Sequence, residues 1–245
     1  MAGTESWALG SPVRRVECAE TPEDPKLWPF TIPAVRQLLD EGLDLGPATV
    51  LVGENGSGKS TVVEAIAEAY GMNPEGGSTG AMHVTTRTES PLSGHLRLVR
   101  GARASRKGYF LRAETMHGLY TYLDEVGFGG LHERSHGESF LELIETRCYG
   151  PNGLPRPGLY LFDEVESALS FTSCLRVLAI LVELSREPDV QVVLATHSPV
   201  LAALPGARVL QLDADGFHDT TWDELDLVRD ERLFLADPRR FLRHF

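Results

Sequence analysis

Apolar positions along the chain fall into short continuous runs, separated by longer stretches at helical spacing. Ala48–Val52, Leu159–Phe162, Val190–Ala195 and Arg208–Leu212 read as buried strands, and Leu96–Val99 and Gly108–Leu111 as two shorter strand-like pieces. Lys59–Tyr70 puts Val62, Ile66, Ala69 and Tyr70 at helical spacing, and Gly71 ends the pattern. Further helical patterns span Ala113–Val126, Glu138–Cys148 and Leu175–Ser185. Strands alternating with helices predict an α/β layered domain with a largely parallel sheet. Residues 1–33, carrying Pro12, Pro22, Pro25, Pro29 and Pro33, read as an extended lead-in, with helix only from Ala34 to Leu39. The glycine-rich stretch 71–95 reads as a loop or hairpin, and 150–158 as a Pro/Gly loop.

Composition narrows the class. The chain has 245 residues, 42% of them hydrophobic and 24% charged, so it has enough length for one sizeable core. No apolar run approaches the ~18 residues of a membrane span, and no signal-peptide pattern opens the chain. Three scattered cysteines, Cys18, Cys148 and Cys174, predict a reducing, cytoplasmic setting without disulfides. The net charge of −12 argues against broad attraction to nucleic acid. The charge is uneven, however. Residues 87–112 carry seven cations (Arg87, Arg97, Arg100, Arg103, Arg106, Lys107 and Arg112) against Glu89 alone. That segment is a candidate contact for nucleic acid or an acidic protein partner; the alternative is a solvated hairpin surface. The tail 229–243, with five arginines among Leu and Phe, reads as an amphipathic docking helix.

Between the first buried strand and the first helix stand Gly53, Glu54, Asn55, Gly56, Ser57, Gly58, Lys59, Ser60 and Thr61, which spell G-x-x-x-x-G-K-[ST] without a gap. Glycines let the backbone curl so that successive N–H groups converge on phosphate oxygens, and the following helix presents its positive end to the same anion. Lys59 would reach the β- and γ-phosphates, and the Ser60 hydroxyl would bind Mg²⁺.

GENGSGKST resembles the phosphate loop of ABC-type ATPases, including the soluble branch of chromosome-maintenance and recombination-repair ATPases. More narrowly, it resembles small single-domain ATPases of the AAA/ABC-like kind. The resemblance runs from about Trp28 to about Leu212. It implies one ABC-ATPase-like P-loop domain over 1–245, with a mostly parallel central sheet, an antiparallel β-hairpin region and a short helical subdomain at about 115–150.

Further motifs follow in the order the resemblance requires. Leu159–Glu164 is an apolar strand ending in two carboxylates. Asp163 would hold Mg²⁺ and Glu164 would act as general base towards water. Glu166–Leu169 resembles the loop that follows, with Ser170 where an acid is usual. His197, in Thr-His-Ser-Pro, resembles the switch histidine that contacts the γ-phosphate. Ser135, Gly137 and Glu138 fall in a divergent form of the signature loop, which in this family acts on the ATP of a second subunit; the resemblance therefore implies a homodimer around two ATP. The usual metal-contacting glutamine is missing from 109–114. Glu114 either replaces it or is a helix-start carboxylate. Trp28 and Phe30 are the aromatics available either to stack on adenine or to join the core.

The resulting expectation is Mg²⁺-dependent ATP binding and hydrolysis. The ATP-binding subunit of a membrane transporter is the alternative. A remote third comes from His132–His136, a literal H-E-x-x-H zinc-protease motif that overlaps the signature loop and is bracketed by glycines.

Overall fold

The computed structural model describes residues 10–80, 90–113 and 136–243. Its central element is a seven-stranded sheet of order β10-β9-β3-β8-β7-β6-β4. The strands are β3 (Ala48–Gly53), β4 (Gly77–Ser78), β6 (Gly108–Arg112), β7 (Gly158–Asp163), β8 (Val190–Thr196), β9 (Arg208–Asp213) and β10 (Gly216–Thr220). The five inner strands are parallel, and β10 and β4 close the edges antiparallel. A second, antiparallel sheet joins β2 (Leu43–Asp44), β1 (Arg15–Cys18) and β5 (Leu96–Val99).

The inner strands are mostly apolar because both faces are covered. Every residue of β8 and β7 is buried. On one face Val50, Val52, Tyr160, Phe162, Val192 and Leu194 pack against α3 (His136–Cys148) and α4 (Phe171–Ser185). On the other, Leu51, Leu161, Val193, Ala195 and Leu210 meet α1 (Pro33–Glu41), α2 (Lys59–Tyr70) and the small sheet. Each Val or Leu buried this way stabilises by about 1.5–3 kcal/mol. Alternate residues of one strand serve opposite layers, so a one-residue slip would disrupt both. The remaining α-helices among the described residues are α5 (Pro199–Ala202), α6 (Asp226–Ala236) and α7 (Pro238–Leu242). Among the described residues no helix is long and apolar enough to cross a membrane.

Two readings change. The lead-in is not merely extended: β1 lies within it and pairs with β5, Val16 opposite Leu98. The strand-like pieces on either side of residue 100 go to different sheets, β5 to the small one and β6 to the large one. Among the described strands, the antiparallel pairings are those of the small sheet, the β9–β10 hairpin and the short β4–β6 ladder.

The Gln191 side chain is a polar group completely buried between the layers. The Gln191 amide on β8 accepts from the Val13 N–H at 2.8 Å, and it donates to the Val13 and Gly46 carbonyls at 2.7 and 2.8 Å. The lead-in is thereby fastened to the central strand by hydrogen bonds that leave no amide group unpaired.

Candidate functional site

Parallel register brings four strand ends together. Val52 of β3 lies opposite Thr196 of β8, Ala195 opposite Asp163 of β7, and Asp163 opposite Arg112 of β6. Residues distant in sequence therefore meet at one edge of the sheet, where loops can hold a ligand.

The loop from Gly53 to Lys59 turns sharply between β3 and α2. A Cβ on Gly53 would collide with the Leu212 carbonyl and come 2.7 Å from Ser57 Oγ. Gly58 has φ +101°, and a Cβ there would stand 2.7 Å from Ile32 Cγ2. Any other residue at Gly58 would meet both a left-handed backbone and a steric contact. Glu54, Asn55 and Gly56 form an exposed tip, while Gly58 and Lys59 are buried and Ser57, Ser60 and Thr61 half-buried. The first N–H groups of α2 have no partner within the helix and face the loop. Ser57 Oγ is buried without a hydrogen-bond partner.

Lys59 is 3% exposed, which matters because a buried ammonium needs acceptors for all its protons. Its Nζ donates to the Gly53 and Glu54 carbonyls at 2.8 and 3.1 Å, and lies 2.8 Å from His197 Nε2 and 3.7 Å from Glu164 Oε1. Burial lowers its pKa, with Glu164 and Asp163 opposing the shift. His197 Nε2 also lies 3.1 Å from Glu164 Oε1. One ring nitrogen cannot accept from Lys59 and donate to Glu164 at once, so the imidazole has two alternative partners set by its tautomer.

Ser60 Oγ donates to Asp163 Oδ1 at 2.9 Å. A hydroxyl and a carboxylate at this spacing are hard oxygen donors of the kind that suits Mg²⁺, which takes one or two protein ligands and keeps water or phosphate for the rest. Glu164 has φ +49°, the left-handed region that a side chain enters at a cost of about 1–2 kcal/mol. Its N–H donates to the Ala195 carbonyl at 2.9 Å, and its carbonyl accepts from the Ser167 N–H at 3.1 Å. These bonds hold the bend and turn the carboxylate towards Lys59 and His197.

Three further participants have no role of their own in the motif reading, although Glu166 lies in the loop that it picks out after β7. Glu166 Oε1 accepts from Thr196 Oγ1 at 2.8 Å and from the His197 N–H, tying the loop after β7 to the end of β8. Arg112 lies 3.4 Å from Asp163 Oδ2 and donates to Glu64 Oε2 at 2.9 Å. Glu64 is the third. Glu166 stands two positions past Glu164, and Arg112 ends the strand beside β7; their place at strand ends is the available signal.

Other expected residues fall elsewhere. Glu114 and Ser135 lie outside the described residues, as does the H-E-x-x-H stretch up to Ser135. Gly137 and Glu138 lie in the first turn of α3. Phe30 is core, edge-on to His95 with ring centroids 5.1 Å apart, whereas Trp28 is 58% exposed. The cation-rich segment is split up in space. Arg97 pairs with Glu17, Arg100 sits 4.1 Å over the Tyr70 ring, Arg112 joins the site, and Arg103, Arg106 and Lys107 are exposed at the opposite end of the sheet.

Residues 48–154 match the family model of the AAA domain, dynein-related subfamily. That stretch includes the phosphate loop and stops before β7 and β8, so Asp163, Glu164 and His197 enter the site through geometry. No curated protein matches the chain. Among solved structures, the chain is similar to a metal-chelate-type ABC transporter in an inward-facing conformation, at 18% identity over 76% of each chain with a TM-score of 0.44. It is also similar to an SMC head domain from Thermotoga maritima, at 16% identity over 74% of this chain and 92% of that one, TM-score 0.40. A third is a dimeric ATP-binding cassette in a post-hydrolysis state with ADP and Pi, at 17% identity over 87% and 98%, TM-score 0.40. The expected α/β layering with a mostly parallel central sheet is observed, and the family match falls on the part of it that holds the phosphate loop.

Proposed function

We propose that the chain is a Mg²⁺-dependent ATPase that works as a homodimer enclosing two ATP. The observation that carries this reading is the meeting of Lys59, Ser60, Asp163, Glu164 and His197 at one sheet edge, above a glycine turn and a helix N-terminus. ATP phosphates would lie along Gly53–Thr61, with Lys59 leaving its carbonyl acceptors for the β- and γ-phosphates and the unpaired Ser57 hydroxyl offering a further donor. Ser60 and Asp163 are the residues that would hold Mg²⁺, which when bound would neutralise charge on the phosphates.

Glu164, held by its bent backbone, accepts the proton of the attacking water. His197 senses the γ-phosphate with the ring nitrogen that now has Lys59 and Glu164 as alternative partners. Glu166 fixes the backbone from which that histidine projects. Ser135, Gly137 and Glu138 would complete the partner's site, with about 115–150 as a helical subdomain of one ATPase domain. We place the protein in the cytoplasm. Its load is a protein complex or nucleic acid.

The test is Glu164→Gln in the full chain. This variant keeps ATP affinity, loses phosphate release by roughly 10²–10⁴-fold, and accumulates as an ATP-dependent dimer on gel filtration. Full turnover by a strictly monomeric variant would sink the mechanism.

A further inference from the structure

Arg112 stands between two carboxylates from different elements. Its Nε lies 3.4 Å from Asp163 Oδ2, and its Nη1 donates to Glu64 Oε2 at 2.9 Å. Glu64 is one helical turn beyond Ser60 on α2. Ser60, Asp163, Arg112 and Glu64 thus form a continuous polar chain, from the two oxygens suited to a cation out to the flank of the helix. The chain is well shielded: the Asp163 side chain is 3% exposed, Glu64 14% and Arg112 21%. Burial pushes the Glu64 carboxyl up, and Arg112 opposes that shift by favouring the charged form.

The Ser60 hydroxyl bonds Asp163 Oδ1, while Arg112 faces Oδ2. A divalent cation on Ser60 and Asp163 would bring two positive charges beside a guanidinium that already compensates the same carboxylate. In a shielded site the two cations repel, and one carboxylate cannot fully serve both. Glu64 supplies the guanidinium with a second anchor on its other side.

We propose that Arg112 is a competing internal counter-cation for Asp163, which keeps the carboxylate compensated and oriented until the metal arrives and then retreats onto Glu64. The Arg112–Glu64 pair thereby sets the metal concentration at which the site assembles. This rests on the reading of the site as one for metal-nucleotide. Arg112 acts through Asp163 and is a positioning residue.

The experiment uses the full chain and a fluorescent ATP analogue at fixed concentration, titrated with MgCl₂. The readout is the half-saturating Mg²⁺ concentration for nucleotide binding, independent of turnover. R112Q removes the competitor and lowers that concentration on the order of tenfold. E64Q weakens the anchor on α2, shifts the guanidinium towards Asp163, and raises it by roughly threefold or more. A pair that merely braces α2 against β6 would shift both variants in the same direction, and that result overturns the proposal. Unchanged values in both do so as well. Should R112Q fail to fold, R112K takes its place: its shorter side chain loses the fork that faces both carboxylates and lowers the half-saturating concentration, and a rise in both R112K and E64Q refutes the idea. A wild-type chain that binds no nucleotide at any Mg²⁺ concentration rejects the nucleotide reading itself, and the proposal with it.

Discussion

At the carboxyl ends of β3, β8, β7 and β6, side chains from Lys59 to His197 in sequence each lie 2.8–3.4 Å from a neighbour in the cluster, and are buried or half-buried. At the opposite end, Arg103, Arg106 and Lys107, near neighbours in sequence, stand exposed in the loop before β6. The first group is dispersed along the chain and concentrated in space. The second is concentrated along the chain and, together with Arg97, Arg100 and Arg112, dispersed over the molecule. A run of like charges in sequence is thus a poor guide to a patch, because a strand carries successive members to different ends of a sheet. Parallel register is what gathers the distant ones.

If the two ends differ as described, substitutions should separate them. Lys59→Ala removes a buried cation with several partners and should weaken ATP binding about 100-fold, measured by fluorescence titration. Affinity within twofold of wild type would mean that the buried ammonium is only structural. Glu166→Ala leaves the Thr196 hydroxyl and the His197 N–H without their acceptor. We expect a loss of about 1–3 kcal/mol in stability by denaturant unfolding, and a turnover reduced by roughly tenfold in phosphate-release assays. Loss of stability with full turnover would remove Glu166 from the positioning of His197. The smallest effect belongs to the other end. Replacing Arg103, Arg106 and Lys107 together by Ala should leave ATP affinity unchanged and stability within about 0.5 kcal/mol. A marked drop in ATP affinity would show that the ends are coupled. Salt-dependent DNA binding that vanishes in this variant would make the loop an interface.

Legibility in the sequence followed burial. The inner strands announce themselves by continuous apolar runs, and the glycine turn by a motif whose spacing has a mechanical reason. β1 is illegible in the sequence because only one of its four residues, Val16, is fully buried, and the segment lies between Pro12 and Pro22. Its strand character comes from partners on β5 and β2. β10 has only Phe217 as a large apolar residue and depends on β9 and on Gln37, whose side chain accepts from the Phe217 N–H at 2.7 Å. Within the site, Lys59, Ser60, Asp163, Glu164 and His197 sit in recognisable words. Glu166 falls in the loop that resembles the family's but without a role of its own, and Arg112 and Glu64 are marked by nothing, since nothing local distinguishes an arginine at a strand end from its solvated neighbours. Their importance arises only once β6 lies beside β7.

Gln191 carries a further consequence. Its amide presents one acceptor and two donors in a fixed plane, a pattern that complements the backbone groups of Val13 and Gly46. Hydrophobic contact would tolerate a lead-in displaced by a residue or two; this pattern does not, because a shifted segment would present its groups out of step. Two bonds on β8 thus recognise the chain's own amino-terminal segment, and the third fixes it against the turn at Gly46 before β3. The same strand ends at Thr196, so β8 reads the lead-in at one end and anchors His197 at the other.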